Sequence, residues 1–156
     1  MGASIVAVVG TIVGIALGAV MGYYFERRAA VDAAKRARAE TLRQERSTAY
    51  AQFAGALGTY RRAQIDRWGS ETAEAVRDTN SRRDAAREAM FRVQLLAGSA
   101  TVRDGARRAF DAMDAFSDAK SGEEARVARD GTWAAMYQFV EIARMELDEA
   151  LAEESS

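Results

Sequence analysis

Eight arginines between positions 61 and 92 (Arg61, Arg62, Arg67, Arg77, Arg82, Arg83, Arg87 and Arg92) form the densest run of side chains that could act on a ligand, and the chemistry they suit is phosphate contact. Acidic residues dilute that charge. Asp66, Asp78, Asp84 and Glu88 are interleaved at helix-pairing distances, as in Asp78 with Arg82 and Glu88 with Arg92. The stretch therefore reads as a solvated mixed face, and DNA is not an expected partner. Carboxylate chemistry fares no better. Glu123-Glu124 and Glu153-Glu154 fall at a helix start and a tail, and the Glu-x-x-His pairs of di-metal helical bundles cannot form, because the chain has no histidine. Absent cysteine likewise removes thiol nucleophiles, disulfides and the common zinc sites. Neither a P-loop nor a Rossmann glycine pattern occurs. No catalytic residue, metal site or cofactor is expected, and the chain does not read as an enzyme.

The other notable spacing is structural. Gly10, Gly14, Gly18 and Gly22 repeat every four residues inside residues 3–25, a run without a single charge. As a helix that run reaches roughly 34 Å, enough for a hydrocarbon core of about 30 Å. No basic residue precedes it, and it ends in Tyr23-Tyr24-Phe25-Glu26-Arg27-Arg28, which argues for a retained anchor over a cleaved signal peptide. Arg27, Arg28, Lys35, Arg36, Arg38 and Arg43 all follow the span, so the positive-inside rule puts the N-terminus outside and the rest in the cytoplasm of a single-pass membrane protein. Tyr23, Tyr24, Arg27 and Arg28 would meet the lipid headgroups. The four glycines would form a smooth face for self-association in the bilayer.

The remaining pattern must fold what these groups stand on. With 34 alanines and no proline, the chain favours unbroken helices and an all-α fold. Residues 26–41 are charged, with Val31 the sole larger aliphatic, and read as a helical stalk after the 1–25 anchor. An apolar stripe then starts at Leu42 and runs through Ala49, Tyr50, Phe53, Leu57, Tyr60, Gln64 and Trp68 in steps of three and four. Its aromatics belong to packing, not to base stacking. Arg46 breaks the stripe: pairing with a carboxylate or with Gln94 would fix helix register, and the plainer reading is that its stem packs while the guanidinium reaches water. Gly69-Ser70 ends this helix, with Ser70 the expected N-cap of a second helix over 71–97 whose inner face is Val76, Ala86, Met90, Val93, Leu96 and Ala97 and whose stop is Gly98. Thr101 to Asp104 resembles a capping box opening a third helix that buries Val102, Ala106, Phe110, Met113 and Phe116. Ser121-Gly122-Glu123-Glu124 is a full box before a fourth helix over 123–153, facing inward with Ala128, Ala135, Met136, Phe139, Ile142, Ala143 and Leu147. Residues 42–156 are thus expected to form an antiparallel three- or four-helix cytoplasmic bundle with coiled-coil-like packing.

The segments Arg43-Gln44-Glu45-Arg46, Ala49-Tyr50-Ala51-Gln52-Phe53-Ala54-Gly55-Ala56 and Tyr60 to Trp68, with Met90-Phe91-Arg92-Val93-Gln94-Leu95-Leu96-Ala97-Gly98, resemble a family of small actinomycete proteins. Some of its members carry the name KilB, a plasmid spread protein of Streptomyces conjugation. The resemblance covers most of the chain and implies a membrane-associated accessory of intermycelial plasmid transfer, with no catalytic residues. The expected partners are the lipid bilayer, a second copy through the transmembrane helix, and an unidentified protein, with the transfer machinery as the candidate. Two other readings stay open: a holin-like or toxin-like pore made by the glycine-repeat span, and a membrane-tethered module that contacts DNA.

Overall fold

Without proline nothing interrupts the backbone hydrogen-bond ladder, and the described residues form four α-helices and no strand: α1 (Gly2–Gly69), α2 (Ala73–Leu96), α3 (Ala100–Ser117) and α4 (Gly122–Glu154). This computed structural model describes the backbone of residues 2–69, 72–119 and 121–154, and the side chains of Arg28 and of residues 30–152 other than 70, 71 and 120. The chain divides into two compact units, Met1–Thr41 and Leu42–Ser156.

In the first unit, the described side chains are those of the charged stretch, and all are exposed except the half-buried Asp32. Val31 is 48% exposed, as expected of a helix without an apolar stripe. Among the described residues no helix is long and apolar enough to cross a membrane. The expected anchor over residues 3–25 is not covered by that statement, because its side chains lie outside the described residues.

The second unit is built on the stripe of α1. Ala49, Tyr50, Phe53, Leu57, Tyr60 and Gln64 are buried as their spacing predicts, whereas Leu42 and Trp68 at its two ends are 40% and 43% exposed. Contacting residues run in opposite order along α1 and α4: Tyr50 meets Glu146, Phe53 meets Phe139, and Arg61 meets Thr132. The same reversal relates α1 to α2, with Arg46 at Leu96, Gln52 at Arg92 and Ala63 at Thr79. It also relates α2 to α3, with Arg83 at Asp114 and Gln94 at Arg103. One apolar cluster joins all four segments, and Phe53 stands edge-on to Phe139 at 5.0 Å and 86° within it.

Burial follows the expected inner face of α3 throughout, since Val102, Ala106, Phe110, Met113 and Phe116 are all buried. On α2 and α4 two threonines take positions that apolar periodicity assigns to nothing. Thr79 is buried because its hydroxyl donates to Ala63 O at 3.2 Å and to Ala75 O at 2.8 Å. Thr132 is buried because it accepts from Arg61 Nε at 3.0 Å and donates to Arg129 O at 2.6 Å. Gly105 is buried where α3 meets α4, and a Cβ there would stand 3.4 Å from Ile142 Cδ1, so a small residue sets that approach.

The caps need two corrections. Thr72, not Ser70, caps α2, accepting from Ala75 N at 3.2 Å. Ser99, not Thr101, caps α3, accepting from Val102 N at 3.2 Å, because the helix begins two residues earlier than the Thr101 pattern suggests. The Ser121 box is seen, with Glu124 N donating to Ser121 Oγ at 3.2 Å. Phe53 is fully buried, so Phe53→Ala is expected to cost about 3–5 kcal/mol in urea unfolding of the full chain.

Candidate functional site

The largest concentration of polar contacts in the second unit surrounds the turn from α2 to α3. Glu146, half-buried on α4, accepts from Gly98 N at 3.1 Å and Ser99 N at 2.7 Å, and from the Tyr50 hydroxyl through a short hydrogen bond. Its carboxylate thus sits on free amides just ahead of α3, where the helix dipole also favours negative charge. Arg46 Nε donates to Leu96 O at 2.8 Å, and Arg103 Nη1 to Ala97 O at 2.8 Å, so the last carbonyls of α2 are satisfied by arginines. Gln94 Nε2 donates to Arg103 O at 2.8 Å. Arg46 therefore pairs with a backbone carbonyl and not with Gln94, and it does tie the first helix to the second.

Gly98 has a different role from the helix stop its position suggests. The cap of α2 is Ala97 in extended conformation, and no glycine has positive φ among the described residues. A Cβ on Gly98 would instead lie 3.0 Å from Arg46 Nη1 and 3.1 Å from its Cζ. Glycine leaves the guanidinium its place, and a Cβ would make it give by a few tenths of an ångström.

Burial raises the Glu146 carboxyl, but the hydrogen bonds from Ser99, Tyr50 and Gly98 outweigh it and hold the group below its ordinary range. Tyr50 moves the other way, raised first by burial and then by its bond to Glu146, so it stays a donor. A second polar node lies further along α1. Asp114 accepts from Tyr60 Oη at 3.1 Å and from Arg83 Nε and Nη2 at 2.9 and 2.5 Å. Burial and the Asp114 charge push the Tyr60 phenol up to about 12, and the hydrogen bond to Asp114 raises Arg83. Buried Gln64 donates to Met113 O at 2.7 Å.

Both nodes join different helices, with Gln64 Oε1 beside the second buried without a hydrogen-bond partner, and neither places a nucleophile beside a base. Among the described residues no group of three or more His, Cys, Asp or Glu could hold a metal ion. The arginine run is also largely turned to the protein's own groups. Arg82 bonds Asp78 at 3.2 Å, Arg83 bonds Asp114, Arg87 approaches Asp84 at 3.6 Å, and Arg61 lies 4.5 Å over the Trp133 ring. Arg92, expected to pair with Glu88, donates to Gln52 Oε1 at 3.1 Å.

Gly10, Gly14, Gly18 and Gly22 all fall within α1, at four-residue steps along one helix. The side chains of Tyr23, Tyr24 and Arg27 lie outside the described residues, and Arg28 is exposed. Apolar surface missed by the periodic reading appears on α4, where Trp133, Tyr137 and Val140 are 45%, 65% and 42% exposed. Their spacing of four and three was a legible signal, hidden by the inner stripe that runs beside it.

Glu146 below its ordinary range stabilises the fold fully above the unfolded carboxyl pKa of about 4.3, and that contribution is lost as pH falls through the folded value. Glu146→Gln is therefore expected to cost about 1–3 kcal/mol at pH 7, with the gap to the parent protein closing below about pH 4 in urea titrations. Gly98→Ala is expected to destabilise by about 1 kcal/mol in the parent protein, through the displaced Arg46 bond. In an Arg46→Ala background the same change is expected to stabilise slightly, by about 0.4–1 kcal/mol, as relief of unfolded-chain entropy alone would dictate.

A family model described as KilB plasmid transfer protein matches residues 47–147, which contain the second polar node and all of the first except Arg46. No curated protein and no solved structure matches the chain.

Proposed function

From the premise that the chain belongs to the KilB plasmid transfer protein family, we propose that it is a non-enzymatic accessory of plasmid transfer, anchored in the cell membrane by residues 3–25 and acting through its helical unit. The observation that carries the non-enzymatic reading is how the polar side chains of the matched region, and of Arg46 just before it, are used. Arg46, Tyr50, Tyr60, Gln64, Arg83, Arg103, Asp114 and Glu146 all tie one helix to another or to the turn between α2 and α3. What such a unit offers a partner is shape and surface.

The anchor rests on the sequence. An uncharged run of 23 residues followed by Arg27 and Arg28 suits a single span with the helical unit in the cytoplasm. Gly10, Gly14, Gly18 and Gly22 support self-association of that span, which would raise the local concentration of the helical units and make weak contacts between them effective. The partner reached through those units is a protein, with the transfer machinery the first candidate. DNA contact is the weaker reading, because Arg61, Arg83 and Arg92 engage other helices of the chain and acidic residues are interleaved among the rest.

The anchored reading predicts that the full chain stays with membranes after alkaline carbonate extraction. Recovery in the soluble fraction would contradict it. Gly14→Leu with Gly18→Leu should abolish the signal in a membrane two-hybrid assay and reduce plasmid transfer frequency. The pore reading separates cleanly: residues 1–41 expressed alone would then collapse the membrane potential, whereas the scaffold reading expects the potential to hold.

A further inference from the structure

Trp133, Tyr137 and Val140 form an outward apolar stripe on α4, beside the inward one that packs on α1 and α3. Trp133 and Tyr137 are stacked, with centroids 5.6 Å apart and planes at 26°, so the stripe presents an ordered aromatic surface to solvent. Arg61 covers the side of Trp133 toward α1. Exposed aromatics of this kind, at helical spacing and rimmed by charge, have the anatomy of a helix-docking face.

The charges around the stripe identify its occupant. Asp130 and Arg144 stand seven residues either side of Tyr137, and Arg126 and Asp148 stand eleven either side. All four are exposed, and helical periodicity puts them on the same side of α4 as Trp133 and Tyr137. A second α4 laid antiparallel across this one with Tyr137 at the centre therefore sets Asp130 against Arg144 and Arg126 against Asp148, twice each. A parallel arrangement would set every one of these charges against its own copy. Within the chain, Arg126 and Arg144 bond Glu123 and Glu141, and Asp130 lies 3.7 Å from Arg129, but these are exposed pairs between close neighbours and readily exchanged.

The geometry points to a second copy of this chain as the partner of the Trp133–Tyr137–Val140 face, joined by an isologous antiparallel α4 contact centred on Tyr137. Self-complementary charge about one point is what a two-fold contact requires, and an unrelated partner imposes no such symmetry. The contact is separate from any pairing along Gly10 to Gly22 and does not depend on the anchored reading.

The absence of cysteine makes the test direct, since any introduced thiol is unique. The full chain carries Gly14→Leu and Gly18→Leu, to remove association through the first segment, together with Tyr137→Cys. A short bis-maleimide should convert most of it to a covalent dimer. Asp130→Cys alone and Arg144→Cys alone should give at least fivefold less dimer, and the two together in one chain should restore it. Asp130→Arg added to Tyr137→Cys should lower the yield severalfold, and Arg144→Asp added on top should recover it. All these positions are exposed, so far-ultraviolet circular dichroism of each variant should match that of the parent. Equal cross-linking by Asp130→Cys alone would show a parallel pair and overturn the proposal. So would failure of Tyr137→Cys to form dimer, or charge reversal without effect.

Discussion

Glu146 holds together parts of the chain that are far apart in sequence. It takes hydrogen bonds from Tyr50 on α1 and from two consecutive backbone amides, Gly98 and Ser99, where the chain turns from α2 to α3. A helix beginning has donors without intrahelical partners, and a helix end has such acceptors. Here the donors ahead of α3 meet a carboxylate from α4, and the acceptors at the end of α2 meet Arg46 and Arg103. Each of these groups would carry a desolvation cost if its partner were removed, so the clasp fixes the register of all four segments more than it adds net stability. Gly98 eases it, since a Cβ there would press on the Arg46 guanidinium at 3.0–3.1 Å.

Much of this architecture was legible in the sequence. The stripe from Ala49 to Gln64 and the face from Val102 to Phe116 are buried as their periodicity implies, because an amphipathic helix can bury only one side. The ends of that reasoning were less secure. Leu42 and Trp68 continue the stripe on paper, yet the neighbouring helices no longer cover them. Thr79 and Thr132 escaped notice because a threonine hydroxyl can satisfy itself on a backbone carbonyl and pass as core. Arg46 stood out as a polar break in the stripe, but its acceptor is a main-chain carbonyl fifty residues away, which no side-chain pattern encodes. Glu146 gave no signal at all, being one carboxylate among several in an acidic helix.

What the fold implies about function follows from where its polar groups have gone. In the segment matching the KilB plasmid transfer family, Tyr60, Gln64, Arg83 and Asp114 are bonded between helices. The surface keeps charge of both signs and a row of exposed apolar residues on α4. In the proposed reading such a unit would contribute to transfer through assembly. The proposed anchor and the aromatic row on α4 would belong to separate compact units of the chain.

Native-state hydrogen exchange at the amides of Gly98 and Ser99 reports most directly on the clasp. Both belong to the connection between two helices, where ordinary turn amides exchange rapidly. Bonded to Glu146, they should exchange only with the opening of the α3 and α4 core, at rates close to those of Phe110 and Phe139. Exchange at the rate of an open turn, with the cores of α3 and α4 still protected, would contradict the account.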